Sequence, residues 1–239
     1  MGLTVHYTLS TREPLEAPAV RELVNSARAF ALDAPVDAVS GLIDVGSDFP
    51  LAHEFIKAPG SRGDGAAYMD VPPEAGFVFN VTLGKGSEGA LFGLCRYPAT
   101  VKHRGRAVPT GIGTGWRLSG FCKTQYASMH GWDHFLRCHR ALIDLVASWP
   151  ALGVDIDISD EGGYWPERSE TTLRARVNEM NGMVAALGGA LKDALGGETI
   201  EGPIFQHRDF ENLEADGIKR YGDKMRGAVD EIRKAAEPE

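Results

Sequence analysis

Side chains that could carry acid–base chemistry or bind a ligand gather between Trp116 and Trp165, a stretch that holds all four tryptophans of the chain. An amine, an imidazole and two carboxylates form the candidate catalytic set, because these groups transfer protons or act as nucleophiles: Lys123, His134, Asp157 and Glu161. Amide, imidazole, carboxylate and aromatic groups form the candidate ligand-binding set: Gln125, Tyr126, His130, Asp160, Tyr164 and Trp165. No motif in this stretch names a single reaction.

Two groups in the same stretch have the side-chain types of metal ligands, but each has a second interpretation. His130, His134 and Cys138 recur every four residues, so a helix would place them on one face, as in a zinc site. A buried cysteine beside surface histidines is the more common origin of that spacing. The acidic run 155–161 resembles an oxygen cluster for Mg²⁺ or Ca²⁺. Its second interpretation is a solvated strand, or a strand whose Asp157 pairs with Lys123 if the two strands are neighbours in the sheet. The sequence therefore assigns neither a metal nor a cofactor.

The spacing of apolar residues places these groups on a strand, a helix and a second strand. Residues 116–126 alternate between two faces, Ser128 is suited to cap a helix that reaches Trp149, and residues 154–159 alternate again. A strand–helix–strand crossover returns its second strand parallel to the first, so that both strands end at one edge of the sheet. We expect the turns that follow the two strands to meet there, beside the helix N-terminus, where open α/β sheets often bind ligands.

The remaining patterns predict an α+β fold with a mixed or antiparallel sheet and helices on one face. Strand, helix and strand patterns also fill residues 3–45, which suggests two similar strand–helix–strand halves. We divide the chain into a first α+β half at 1–110, a second at 111–208 and a C-terminal amphipathic helix at 209–239, with one compact domain as the alternative. Residues 46–75 follow no period and predict a long loop that covers the site.

Composition limits the classes of partner. The chain has 239 residues and a net charge of −8, which argues against a nucleic-acid binder and against binding to an anionic membrane surface. Its three cysteines are an odd number inside patterned segments, so we expect no disulfide framework. The start of the chain shows neither a charged leader nor a long apolar run, and a cytoplasmic location is the expectation.

Three functions fit these observations. The first is a soluble cytoplasmic protein that binds a small molecule or a peptide in a polar and aromatic site formed by residues 123–134 and 155–165. The second is a hydrolase or lyase, metal-dependent or not, that uses His134, Lys123 and Asp157 or Glu161. The third is an interaction module in which the C-terminal helix binds a partner or a second copy in a homo-oligomer. We favour the binding protein, because acidic and aromatic residues at a helix start explain this composition most simply.

Overall fold

The structure, a computed structural model, describes residues 3–46, 71–103, 105–194, 201–207 and 209–236. Its fold is α+β, with a mostly antiparallel sheet, as the sequence predicts. The strands in these ranges are β1 Thr4–Thr11, β2 Ala38–Val39, β3 Ile43–Gly46, β4 Ala75–Thr82, β5 Gly89–Arg96, β6 Thr100–His103, β7 Arg106–Pro109, β8 Trp116–Lys123 and β9 Val154–Asp160. The α-helices are α1 Ala17–Leu32, α2 Trp132–Ala147, α3 Glu170–Ala194 and α4 Phe210–Ala236. Most of the loop predicted at 46–75 lies outside the described residues.

The principal sheet has the strand order β2-β4-β5-β8-β1-β9, and β3 also pairs with β4. The pairs β2–β4, β3–β4, β4–β5 and β5–β8 are antiparallel. Leu3, just before β1, accepts a hydrogen bond from Thr124, just after β8, and Thr11 at the end of β1 accepts one from Trp116 at the start of β8. β1 therefore runs antiparallel to β8.

β1 also separates the two strands of the predicted crossover. Thr4 at the start of β1 pairs with Glu161 just after β9, whereas Arg12, just after β1, bonds Asp155 near the start of β9. β1 is therefore antiparallel to β9 as well. It follows that β8 and β9 run parallel to each other, as the crossover rule predicts, and that both end where β1 begins. The sequence did not predict the intervening strand.

Apolar alternation explains why the central strands bury one face. In β1 the side chains of Val5, Tyr7 and Leu9 are buried, and in β8 those of Trp116 and Leu118 are buried. The residues between them point to the opposite face of the sheet, because successive side chains of a strand alternate. The ring of Tyr7 packs so closely on β8 that only a glycine fits at position 120, where a Cβ would lie 2.6 Å from the ring.

α3 and α4 pack against each other through small residues. Beyond its first two turns α3 buries residues that are small or polar: Asn181, Gly182, Ala185, Ala186, Gly188 and Gly189. Gly217 of α4 lies so close to α3 that a Cβ there would be 2.9 Å from the Cβ of Ala186. Small side chains allow two helix axes to approach closely. Ile218, one position further, is 46% exposed although it belongs to the apolar pattern of α4. No described helix has the length and the apolarity that crossing a membrane requires.

The chain forms two compact units and passes between them several times. One unit consists of residues 1–4, 123–136 and 160–239, and we call it the helical unit because α3 and α4 lie in it. The other consists of residues 5–122 and 137–159, and we call it the sheet unit. Nine of the ten predicted site residues belong to the helical unit, and Asp157 belongs to the sheet unit. The domain boundaries predicted at 110 and 208 stay predictions.

The three cysteines are free and buried, which gives a testable pH dependence. Burial raises the pKa of the Cys95 and Cys122 thiols to about 12 and also raises the pKa of Cys138. Unfolded thiols lose their protons near the ordinary value of 9.0, whereas the folded ones keep theirs. The free energy of unfolding should therefore be unaffected by these thiols below pH 9 and should fall as the pH rises above it.

The thiolate is the reactive form of cysteine, so the same shift predicts protection from thiol reagents. We expect a chromogenic aryl disulfide at pH 8 to react with the folded protein far more slowly than with the protein in urea. In urea three thiols should react promptly. Prompt reaction of all three thiols in the folded protein would show that they are not buried as described.

Candidate functional site

The ends of β8 and β9 flank the first residues of β1. Just after β8, the backbone N–H of Thr124 donates to the carbonyl of Leu3 at 3.2 Å. Just after β9, the backbone N–H of Glu161 donates to the carbonyl of Thr4 at 3.1 Å, and the Thr4 N–H donates to the Glu161 carboxylate at 2.8 Å. The two turns that the sequence predicts at one edge therefore lie there, with the start of β1 between them.

Gln125 ties this edge to α3 through a chain of hydrogen bonds. Its buried side-chain carbonyl accepts the backbone N–H of Leu3 at 3.1 Å. Its amide nitrogen donates to the side-chain oxygen of Asn181 at 2.9 Å, and the Asn181 amide donates in turn to the hydroxyl of Ser128 at 3.0 Å. Both amides are almost fully buried, so each of these bonds replaces water that the groups have lost. Gln125 fixes the short 3-10 helix 125–130 against α3 rather than facing an open site.

Asp160 organises the turn that follows β9. One carboxylate oxygen accepts the backbone N–H of Gly162 at 2.7 Å, and the other accepts those of Tyr164 at 2.7 Å and Trp165 at 3.0 Å. A carboxylate that accepts several backbone N–H groups holds a turn in one conformation. The guanidinium of Arg168 lies 5.5 Å and 5.4 Å from the ring centroids of Tyr164 and Trp165, within the range of cation–π attraction.

The two histidines of the predicted site pack edge to face. The ring centroids of His130 and His134 lie 5.5 Å apart, with an angle of 81° between the ring planes. His130 is exposed, whereas His134, Lys123 and Tyr126 are half-buried. Cys138, the third residue of the zinc-like face, is buried and belongs to the sheet unit. Within the described ranges, no three His, Cys, Asp or Glu side chains are grouped so that they could hold a metal ion.

Asp157 is the one predicted site residue that belongs to the sheet unit. It is exposed on β9, in the sheet unit. Because β1 lies between β8 and β9, Asp157 and Lys123 do not occupy neighbouring strands. The sequence-based interpretation that pairs them across adjacent strands is therefore wrong.

A shallow groove of about 470 Å³ opens in the helical unit, at the end of the 123–134 segment. One wall is the indole of Trp132, the first residue of α2, and the other is the first half of α3. The lining side chains from α3 supply a carboxylate, a hydroxyl, a guanidinium, a methyl group and an amide: Glu170, Thr171, Arg174, Ala175 and Asn178. An aromatic wall with a few polar groups is typical of small-molecule sites.

Arg174 and Trp132 form the closest cation–π pair of the described residues. The guanidinium carbon lies 4.3 Å from the centroid of the indole, and the Phe135 ring lies 5.6 Å from the same indole. The indole therefore contacts both the guanidinium and the Phe135 ring, and a cation over an aromatic face is attracted to it. The groove presents a cation that already contacts its aromatic wall in the free protein.

Sequence reasoning missed three residues that build this region. Asn181 lies in the stripe that begins with Leu173 and Val177, and a polar residue in an apolar stripe is a signal of a buried hydrogen bond. Arg174 and Asn178 lie one turn apart on the exposed side of α3. Polar residues at that spacing are ordinary on any solvated helix, so the sequence carries no signal that sets these two apart.

Comparisons with known proteins do not add to this geometry. No family model, no curated protein and no solved structure matches the chain. A functional assignment therefore depends on the chemistry of the residues themselves.

Proposed function

We propose that the chain is a binding protein for a small molecule or a short peptide, and that the ligand occupies the groove beside Trp132. The observation that carries the proposal is the guanidinium of Arg174, held 4.3 Å from the indole centroid on the wall of an open groove. The volume of about 470 Å³ supports it, because small-molecule sites usually measure roughly 300–1,000 Å³. The groove includes the end of the 123–134 segment, where we expected a ligand.

Rigid support of both walls is a second argument. The Gln125–Asn181 and Asn181–Ser128 bonds tie the segment before Trp132 to α3, which forms the opposite wall. Asp160 holds the turn that leads into α3 through its three backbone hydrogen bonds. Walls that are fixed in the free protein lose less conformational entropy when a ligand binds, which favours affinity. In this proposal Gln125 and Asp160 support the site rather than contact the ligand.

The hydrolase or lyase has weaker support. Glu161 directs its carboxylate to the backbone N–H of Thr4, and Asp157 belongs to the other unit. An acid, a base or a nucleophile must reach the reacting atoms directly. The interaction module also has less support, because Met225 and Val229 of the C-terminal helix are buried within the helical unit.

Three free, buried cysteines are in keeping with a reducing cytoplasm, which we propose as the location.

A thermal-shift screen of small molecules and short peptides tests the binding function. A ligand at about 100 times its Kd should add roughly 2.7 kcal/mol of stability and raise the Tm by several degrees. Trp132→Ala should reduce this stabilisation to roughly 1.4 kcal/mol or less at the same ligand concentration, because truncation of an aromatic wall commonly weakens binding by about tenfold or more. The matched control is Phe121→Ala, which truncates an aromatic side chain that is 53% exposed in the sheet unit. Ligands whose shift is the same in Trp132→Ala as in the wild type, or a broad screen without any ligand, would contradict the proposal.

A further inference from the structure

We propose that the group recognised in the Trp132 groove is a carboxylate, bound by the guanidinium of Arg174. This inference rests on the proposed function and specifies its ligand class. A guanidinium presents its N–H donors in a planar fork that matches the two oxygens of a carboxylate, and such bidentate contacts are among the stronger hydrogen bonds in proteins.

The donors of Arg174 are available for such a contact. Arg174 makes the cation–π contact with Trp132. Among the described residues, none accepts a hydrogen bond from Arg174 or forms an ion pair with it. A cation–π contact does not use the N–H groups as conventional hydrogen-bond donors, and Arg174 lines the groove, so these donors are available to a ligand there. Arg176 gives a contrast: two positions further along α3, it pairs with Glu179 at 3.2 Å.

The neighbours of Arg174 add polar groups to the groove. Thr171 and Asn178 lie three residues before it and four residues after it, so they share its side of the helix and add a hydroxyl and an amide to the groove. Glu170, four residues before Arg174, also lines the groove.

Fragment titrations test this inference. The probes are benzoate and its neutral analogue benzamide. The readout is the NMR signal of the Trp132 indole N–H, assigned with Trp132→Phe. We expect benzoate to shift this signal with a Kd in the millimolar range, and we expect the affinity of benzamide to be lower by about tenfold or more. Benzamide that binds as tightly as benzoate would overturn the carboxylate inference while leaving the groove as a binding site.

Two further experiments identify the residue that binds the carboxylate and the kind of ligand that supplies the carboxylate. Arg174→Gln should weaken benzoate binding by about tenfold and leave benzamide unchanged, whereas the control Arg176→Gln should change neither. An N-acetylated dipeptide with a free C-terminal carboxylate, compared with its amide, separates a peptide source from a small-molecule source. Equal binding of benzoate to wild type and Arg174→Gln would overturn the inference. Loss of every ligand signal at Trp132, from fragments and from screening hits alike, would instead overturn the proposed function.

Discussion

Replacement of Gly217 by alanine is expected to lower the free energy of unfolding by about 3 kcal/mol, the upper part of the range for overpacked sites. The added Cβ would overlap the carbonyl oxygen of Gly182 and lie 2.9 Å from the Cβ of Ala186. A backbone oxygen cannot rotate away as the end of a long side chain can. α3 and α4 must therefore move apart, which weakens the packing along the rest of their contact.

Gly227 provides a matched control in the same helix. A Cβ at Gly227 would meet no atom within 4 Å, so Gly227→Ala should stabilise the protein by about 0.5–1 kcal/mol through the higher helix propensity of alanine. Urea unfolding of both variants measures the two effects side by side. If Gly217→Ala were as stable as Gly227→Ala, that result would contradict the close approach of α3 and α4 at this position.

Replacement of Gln125 by leucine is expected to cost about 3 kcal/mol, because two buried partners lose their hydrogen bonds. The backbone N–H of Leu3 and the side-chain oxygen of Asn181 would stay buried without the groups that now satisfy them. Leucine has a similar volume, so the loss reports on the hydrogen bonds rather than on a cavity. Urea unfolding of the single variant gives the magnitude.

A double-mutant cycle separates the hydrogen-bond network from general packing. Adding Asn181→Leu to Gln125→Leu should cost less than the sum of the two single changes, because the first change already breaks their mutual bond. Gln206→Leu, at an exposed glutamine of the same unit, should stay within about 0.5 kcal/mol of wild type. If the changes in the free energy of unfolding from Gln125→Leu and Asn181→Leu add strictly in the double variant, the two side chains do not interact.

The central strands and the direction of the crossover were predictable from sequence because they follow from local periodicity and chirality. Alternation defines β1 and β8 wherever one face is buried, and the crossover rule makes β9 parallel to β8. The insertion of β1 between them was not predictable, because it joins Leu3 to Thr124 across more than half of the chain. Such non-local pairing leaves no mark on the pattern of either strand.

The sequence predicts that the polar residues of the candidate site lie together, but it does not predict the role of each residue. Gln125 and Asp160 lie at the expected edge, yet both bind backbone N–H groups whose positions depend on tertiary packing. In α3, glycine and alanine are buried because α4 approaches closely, although hydrophobic periodicity favours larger residues at buried positions. Arg174 gains its importance from Trp132, a partner that is distant in sequence.

The most direct test of ligand binding at Trp132 is a crystal structure of the protein with the tightest ligand from the thermal-shift screen. We expect electron density for the ligand in the groove between Trp132 and α3, with an acidic group of the ligand against the guanidinium of Arg174. An ordered ligand at full occupancy elsewhere in the molecule, with the groove beside Trp132 filled only by solvent, would contradict that expectation and the function proposed from it.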